Sequence, residues 1–170
     1  LQFPPGHSAK ISKNGMSMYK YFNINSLNTV NYPENFDNYE TYKIIVNNML
    51  IQSVKKRLMT DRPIACLLSG GLDSSLITSI VSKLVDYKVR TYSIGLVGSP
   101  DLKYARKVAE YLNTDHTEIV LSEDDFFNAI PEVIKKIESY DTTTVRASVG
   151  NYLIAKHISL ISDSKVIFNG

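Results

Sequence analysis

The sequence predicts an α/β domain built on a parallel, doubly wound sheet and preceded by a short hairpin and linker. From residue 39 onward, apolar runs of strand length alternate with amphipathic stretches of helix length, which is the pattern of strands joined by crossover helices. Residues 1–35 have no sustained helical period and hold turn-forming pairs at Pro5-Gly6 and Asn14-Gly15. The 170 residues are 44% hydrophobic and 21% charged, enough apolar material for one globular core.

The elements follow in order. Residues 9–23 read as a hairpin turning at Asn14-Gly15, a dipeptide that tolerates the positive φ of a tight turn. Residues 23–38 read as a polar linker. Over 39–58, Tyr42, Ile45, Val46, Met49, Leu50, Val54 and Leu58 recur at steps of three and four, so a helix with one buried face is expected. Asp37 or Asn38 would cap its start, and Pro63 stops its continuation. Residues 64–68 form a strand-length apolar run. A helix over 74–84 gathers Leu76, Ile77, Ile80, Val81 and Leu84 on one side, and 88–94 reads as a second strand. Ser99-Pro100-Asp101 supplies a cap, a proline at the first helical position and a first-turn acid, ahead of Leu102, Ala105, Val108, Ala109 and Leu112. A third strand is expected over 116–121. Ser122 with Asp125 then resembles a capping box without the usual Glu. The helical pattern it opens is expected to kink or divide at Pro131 before running on to Tyr140. A helix over 145–161 and a fourth strand over 165–168 complete the alternation.

Composition excludes several function classes. A net charge of +2 with dispersed basic residues does not suit a nucleic-acid or anionic-membrane partner, and Lys55-Lys56-Arg57 reads as a solvated helix end. The eleven tyrosines are scattered without a basic stripe. His7, His116 and His157 lack metal-ligand spacing. Asp124 and Asp125 read as first-turn acids complementing a helix dipole. Cys66, the single cysteine, lies in a strand-like run and reads as core packing. No apolar stretch approaches the roughly 20 residues of a membrane span. The chain therefore reads as soluble, reducing and cytoplasmic.

The chemistry concentrates in Leu67-Leu68-Ser69-Gly70-Gly71-Leu72-Asp73-Ser74-Ser75. In open α/β sheets ligands bind beyond the carboxyl ends of the strands, where this string leaves the first strand of the alternation. Ser69 to Asp73 read as the turn, and Ser74-Ser75 as the opening of the helix. Unpaired N–H groups and the dipole of a helix start favour an anion, two glycines allow close approach, and Ser69, Ser74 and Ser75 add hydroxyl donors. Asp73 would hold an accompanying Mg²⁺ or cap the helix. The string matches neither GxxxxGK[ST] nor GxGxxG. Its plain structural reading is a tight strand-to-helix connection with a good cap.

The string resembles the SGGxDS pyrophosphate loop of the N-type ATP pyrophosphatases, the PP-loop superfamily. The segments YSIGLVGSPDLKYA, IESYDTTTVRAS and LQFPPGH resemble the glutamine-hydrolysing asparagine synthetase family, in that family's order. The resemblance implies that residues 1–35 are the tail of a glutaminase-type domain with its linker, and 36–170 the first part of a synthetase domain. It implies ATP and Mg²⁺ as cofactors, with aspartate and ammonia or glutamine as co-substrates, and the activation of aspartate as β-aspartyl-AMP before ammonia displaces AMP. It places ATP and pyrophosphate on Leu67, Ser69, Gly70, Gly71, Asp73, Ser74, Ser75, Ile94 and Gly95, with Leu67 and Ile94 meeting adenine and ribose and Asp73 meeting Mg²⁺-pyrophosphate. Asp73 and Arg146 are implied as the catalytic pair. Glu138, Asp141, Thr143 and Arg146 are implied to receive aspartate; on spacing alone, Arg146 paired with Glu138 or Asp141 in a kinked loop is an equal reading. The resemblance also allows a homodimer of a full-length parent. Leu1 and Gly170 read as cuts from a longer chain, with the N-terminal glutaminase cysteine and an acidic cluster after the fourth strand outside it, so the 170 residues are expected to be incomplete and inactive alone. Alternatives are another PP-loop adenylating ligase, such as a β-lactam synthetase relative, and a noncatalytic nucleotide-binding module.

Overall fold

Alternation along Ile64-Ala65-Cys66-Leu67 decides the layering of the domain. Ile64 and Cys66 face one cluster and Ala65 and Leu67 another, as period-two side chains on a strand buried on both faces must. In the computed structural model, which describes residues 2–23 and 39–170, the chain divides into two compact units, Leu1–Ile44 and Ile45–Gly170. The expected linker and the capping residues Asp37 and Asn38 lie outside the described residues.

In the first unit, β1 (His7–Ser12) and β2 (Gly15–Lys20) form an antiparallel hairpin with Ser12 opposite Gly15. The turn residues are thus Lys13 and Asn14, one position earlier than Asn14-Gly15, and Gly15 opens β2 at φ 121°. Ser12 Oγ accepts from the Asn14 N–H at 3.2 Å and ties the turn locally.

In the second unit, β3 (Ile64–Leu67), β4 (Arg90–Leu96), β5 (Asp115–Leu121) and β6 (Val166–Phe168) form one sheet in the order β5-β4-β3-β6. Every pairing is parallel. One face is covered by the end of α1 (Tyr39–Lys55), by α2 (Leu72–Leu84) and by α3 (Pro100–Leu112). α4 (Glu123–Ile137) packs on α5 (Thr142–Ile161), whose Ile154 and Ile158 cover Ala65, Tyr92 and Ile119 on the other face. The sheet is therefore doubly wound. The chain moves outward from β3 to β5 and then returns to place β6 on the far side of β3. The order reverses beside β3, which makes the carboxyl end of β3 the switch point of the sheet.

Several boundaries depart from the sequence expectation for local reasons. α2 starts at Leu72, two residues early, because Gly71 is already the extended N-cap (φ −71°, ψ 167°). α5 starts at Thr142, three residues early, because Asp141 caps it. α4 runs unbroken through Pro131 and ends at Ile137, with Glu138 left-handed at φ 52°. The proline removes one N–H, and the amphipathic packing of Ala129 and Val133 on α5 carries the helix across it. On α1 only the last two turns meet the core, through Leu50, Ile51 and Val54; Ile45, Val46 and Met49, expected on the buried face, are exposed.

Beneath α3 the sheet is polar. Thr91 Oγ1 bridges Thr114 Oγ1 at 2.8 Å and His116 Nδ1 at 2.9 Å, and Ser93 Oγ meets His116 Nε2 at 3.2 Å. These groups satisfy one another under the small residues Ala105 and Ala109. Burial holds the His116 pKa below the usual histidine value, so the ring is neutral at pH 7. Cys66 is buried, and its thiol is pushed up to about 11, which keeps it protonated and inert. Among the described residues no helix is long and apolar enough to cross a membrane.

Candidate phosphate-binding site

The Leu68 N–H gives the last bond of the strand to Tyr92 O at 2.8 Å, and the chain then turns out of the sheet. Gly70 makes that turn at φ 79°. It also presses on α3: a Cβ there would lie 2.5 Å from the Tyr104 carbonyl carbon and 2.6 Å from Ala105 N. Only glycine satisfies both the left-handed backbone and that approach. Gly95 serves the same helix from below, since a Cβ on it would lie 3.0 Å from Leu102 Cγ and 3.1 Å from Ser99 Cβ. Two of the glycines implied to meet nucleotide thus also let α3 close on the sheet.

Ser74 braces the loop from inside. Its hydroxyl lies 3.0 Å from Ser69 Oγ, accepts from the Ser69 N–H at 3.3 Å and donates to Gly71 O at 3.3 Å, while Ser69 Oγ accepts from the Gly71 N–H at 3.3 Å. Ser74 is 6% exposed, so this implied ligand donor is engaged within the loop. The outward groups are different. Gly71 makes no side-chain cap, and the first helical bond is Ser75 N–H to Gly71 O at 3.1 Å. Hence the N–H groups of Leu72, Asp73 and Ser74 have no acceptor in the helix. Asp73 is an exposed first-turn acid, not the cap, and its carboxylate makes no hydrogen bond or ion pair among the described residues. Ser75 Oγ is buried without a hydrogen-bond partner among the described residues. Replacing Ser74 by Ala would strand the Ser69 N–H; a loss of about 1–3 kcal/mol, seen as a fall in Tm of roughly 5 °C, is the expected result in thermal unfolding followed by circular dichroism.

The residue after Asn169 closes the site from the other strand. A Cβ on Gly170 would sit 2.7 Å from Asp73 C and O and from Ser74 Cα, so the tail of β6 lies on the first turn of α2. The motif reading did not contain this contact, whose sole sequence signal is the glycine itself. Leu67 and Ile94 share the α5 face of the sheet. Leu67 also borders a cleft of about 430 Å³ along β6 and α5, lined by Asn151, Ile154, Ile158, Ile167 and Asn169.

The other implied residues surround the start of α5. Ile154 and Ile158 lie over the middle of the sheet, and Val149 and Leu153 lie nearer the carboxyl ends of β4 and β5 at Ile94 and Leu121. The turns before them, with Thr143 and Arg146, therefore overhang the carboxyl edge that carries the loop. Asp141 is engaged locally: its Oδ2 accepts from Thr144 N–H and Oγ1, both at 2.8 Å. Those bonds hold its pKa below the ordinary carboxylate value. Glu138 is the left-handed C-cap of α4, and neither it nor Asp141 pairs with Arg146. The kinked-loop ion pair is thus replaced by a capped helix. Arg146 is exposed and borders a groove of about 470 Å³ with Phe126, Ile130, Tyr140 and Thr142.

Sheet and loop together define an open parallel α/β domain with a glycine-rich strand-to-helix turn at its switch point. The family model described as asparagine synthase matches residues 46–170, and the chain belongs to that family. It is 50% identical over 136 residues to the glutamine-hydrolysing asparagine synthetase of Mesocricetus auratus, covering 77% of this chain and 24% of that protein. The Gallus gallus protein of the same name is 46% identical over 145 residues, 82% of this chain and 26% of that one. The chain thus spans about a quarter of the length of these relatives. Among solved structures, an NH3-dependent NAD synthetase from Campylobacter jejuni aligns at TM-score 0.49 and 17% identity, over 72% of this chain and 54% of that one. An NMN synthetase from Francisella tularensis aligns at TM-score 0.46 and 16% identity, over 75% and 52%.

Proposed function

We propose that the chain is the first part of the synthetase domain of an enzyme that converts aspartate to asparagine at the expense of ATP, with residues 1–35 the tail of a glutaminase-type domain and its linker. The observation that carries this reading is the turn at the switch point, where the first N–H groups of α2 have no acceptor in the helix and Asp73 has no partner among the described residues. The β-carboxylate of aspartate is a poor acyl donor. Its oxygen would attack the α-phosphorus of ATP, breaking the bond to the bridging oxygen and releasing pyrophosphate. Ammonia would then add to the acyl carbon, lose a proton, and expel AMP.

In this reading the N–H groups of Leu72, Asp73 and Ser74 hold the departing pyrophosphate, and positioning and charge stabilisation supply most of the rate. An exposed carboxylate without a partner among the described residues, at a turn that would receive phosphate, fits a divalent cation, and Asp73 would hold Mg²⁺ through the pyrophosphate. Leu67 and Ile94 would meet the adenosine. Arg146 and Thr143, overhanging the same edge, would receive the amino acid, while Asp141 would act chiefly as the helix cap that sets their position. A cytoplasmic setting agrees with the free, protonated Cys66.

The test supplies the full-length polypeptide with ATP, Mg²⁺, ammonium and aspartate, then quantifies AMP, ADP, pyrophosphate and asparagine with and without aspartate. Equal amounts of AMP, pyrophosphate and asparagine, dependent on aspartate, are expected. ADP as product, or ATP cleavage indifferent to aspartate, would overturn the assignment. Nucleotide binding without turnover would favour a noncatalytic module.

A further inference from the structure

A chain of polar side chains ties α3 to the sheet, and it starts at a titratable ring. His116 Nδ1 lies 2.9 Å from Thr91 Oγ1, Thr91 Oγ1 lies 2.8 Å from Thr114 Oγ1, and Thr114 Oγ1 donates at 3.5 Å to the Ala109 carbonyl near the end of α3. The other ring nitrogen, Nε2, meets Ser93 Oγ at 3.2 Å. A second tie runs beside the first: Arg106 of α3 is held by Glu118 of β5, with Nε to Oε1 at 2.7 Å and another bond from Nη2 to Oε2. The same Glu118 Oε1 lies 3.9 Å from His116 Nε2.

Both ties depend on a neutral ring. A neutral imidazole has one N–H and one bare nitrogen, so one of the two flanking hydroxyls donates to it. A protonated ring donates from both nitrogens, and that hydroxyl must turn away. If it is Thr91, its proton passes to Thr114 Oγ1, and the Thr114 proton is left with the long contact to Ala109 O. If it is Ser93, a buried hydroxyl loses its acceptor, because Ser93 Oγ has no other hydrogen-bond partner among the described residues. The cleft of about 620 Å³ over the ring carries Glu118 of β5, Arg106 and Glu110 of α3, and Lys88 ahead of β4. Asp115 and Arg90, side by side in register, belong to the opposite face of the sheet. Glu118, the nearest acid, can serve an imidazolium only by sharing the carboxylate that holds Arg106. Burial lowers the pKa of the ring most, Glu118 raises it and Arg106 lowers it again, and the balance falls below the ordinary histidine value.

We propose that His116 is a pH-operated latch: neutral, it seats the C-terminal half of α3 on the sheet, and protonated, it releases that half together with the turn that packs on Ala105 and Ala109 through Gly70 and Leu68. The latch is independent of what the turn binds. The ring takes up a proton more readily once α3 is released, so the seat is complete above the ordinary histidine pKa of about 6.5. Below it the opening constant rises about tenfold per pH unit, until the seated ring itself titrates.

Hydrogen–deuterium exchange of the full-length polypeptide tests the latch, read by mass spectrometry between about pH 5 and pH 8 and corrected for the intrinsic pH dependence of exchange. Corrected exchange over residues 105–112 and 68–72 is expected to rise about tenfold over the first pH unit below about 6.5, while exchange over residues 149–158 of α5 stays level. His116→Gln, whose amide donates and accepts without titrating, should flatten the rise, and His157→Gln on α5 should leave it intact. Level exchange over residues 105–112 in the unsubstituted protein would overturn the latch, whether or not His116→Gln folds. A rise that persists in His116→Gln would overturn it too, since another group must then cause it. So would a rise that spreads equally to residues 149–158, which is acid unfolding of the whole domain.

Discussion

Gly70→Ala should unfold the turn between β3 and α2 while Gly71→Ala barely disturbs it, although the two glycines are adjacent. Gly70 sits at φ 79°, and its added Cβ would meet the Tyr104 carbonyl carbon at 2.5 Å and Ala105 N at 2.6 Å, backbone atoms that no rotamer change can withdraw. Left-handed strain and overpacking each cost about 1–3 kcal/mol, and together they imply a fall in Tm of roughly 10 °C. To relieve the contact α3 must shift away from the sheet, which separates Leu68 from Ala105 and Ala109. Binding of Mg²⁺-pyrophosphate should therefore be lost along with stability. Gly71 has an ordinary extended backbone at φ −71°, and its Cβ would meet only Ser69 Oγ at 3.3 Å. Its alanine variant should stay within about 1 kcal/mol of the parent. Parallel thermal melts and pyrophosphate titrations of the two variants check the contrast; equal losses would mean that neither the left-handed backbone of Gly70 nor its approach to α3 singles it out.

What could be read from sequence was what neighbouring residues determine together. Ser122 and Asp125 form a reciprocal capping box, with the Asp125 N–H to Ser122 Oγ at 3.2 Å and the Ser122 N–H to Asp125 Oδ2 at 2.8 Å. Pro100 takes the first helical position of α3, and the alternation of apolar runs yields the parallel sheet. The turn between β3 and α2 was legible because two glycines, an acid and the serines cooperate over a few residues. What depends on distant chain was not. The composition of α1 marks an apolar helix, but only its packing shows that Ile45, Val46 and Met49 stay exposed. Gly95 and Gly170 are defined by what passes over them, Ser99 and Leu102 in one case and the Asp73-Ser74 backbone in the other. Spacing could not separate the inward hydroxyl of Ser74 from the outward carboxylate of Asp73, because the helix starts at Leu72 rather than Ser74. The two-residue change in start rotates each side chain's place in the first turn, and with it the division between the buried hydroxyl and the exposed carboxylate.

That division makes Asp73→Asn the most informative change to the chemistry. The substitution keeps shape and removes only charge, and Asp73 has no protein partner to lose among the described residues. Exposed substitutions of this kind stay within about 0.5 kcal/mol, so Tm should move by no more than about 2 °C. The synthetic rate should nevertheless fall at least about 100-fold, comparable to removing a charge-stabilising group from a transition state. The loss should carry a signature that a structural defect would not: the Mg²⁺ concentration giving half-maximal rate should rise, while AMP affinity is unaltered because no phosphate-bridging cation is needed for it. Steady-state assays of the full-length polypeptide across a Mg²⁺ series, with AMP titrations beside them, provide the measurement. If Asp73→Asn keeps the parent rate and Mg²⁺ dependence, Asp73 serves only to complement the dipole of α2, and the cation must be held by groups other than this turn. If the rate falls with Tm, the carboxylate is part of the fold and the free first turn of α2 is not the arrangement that meets the phosphate.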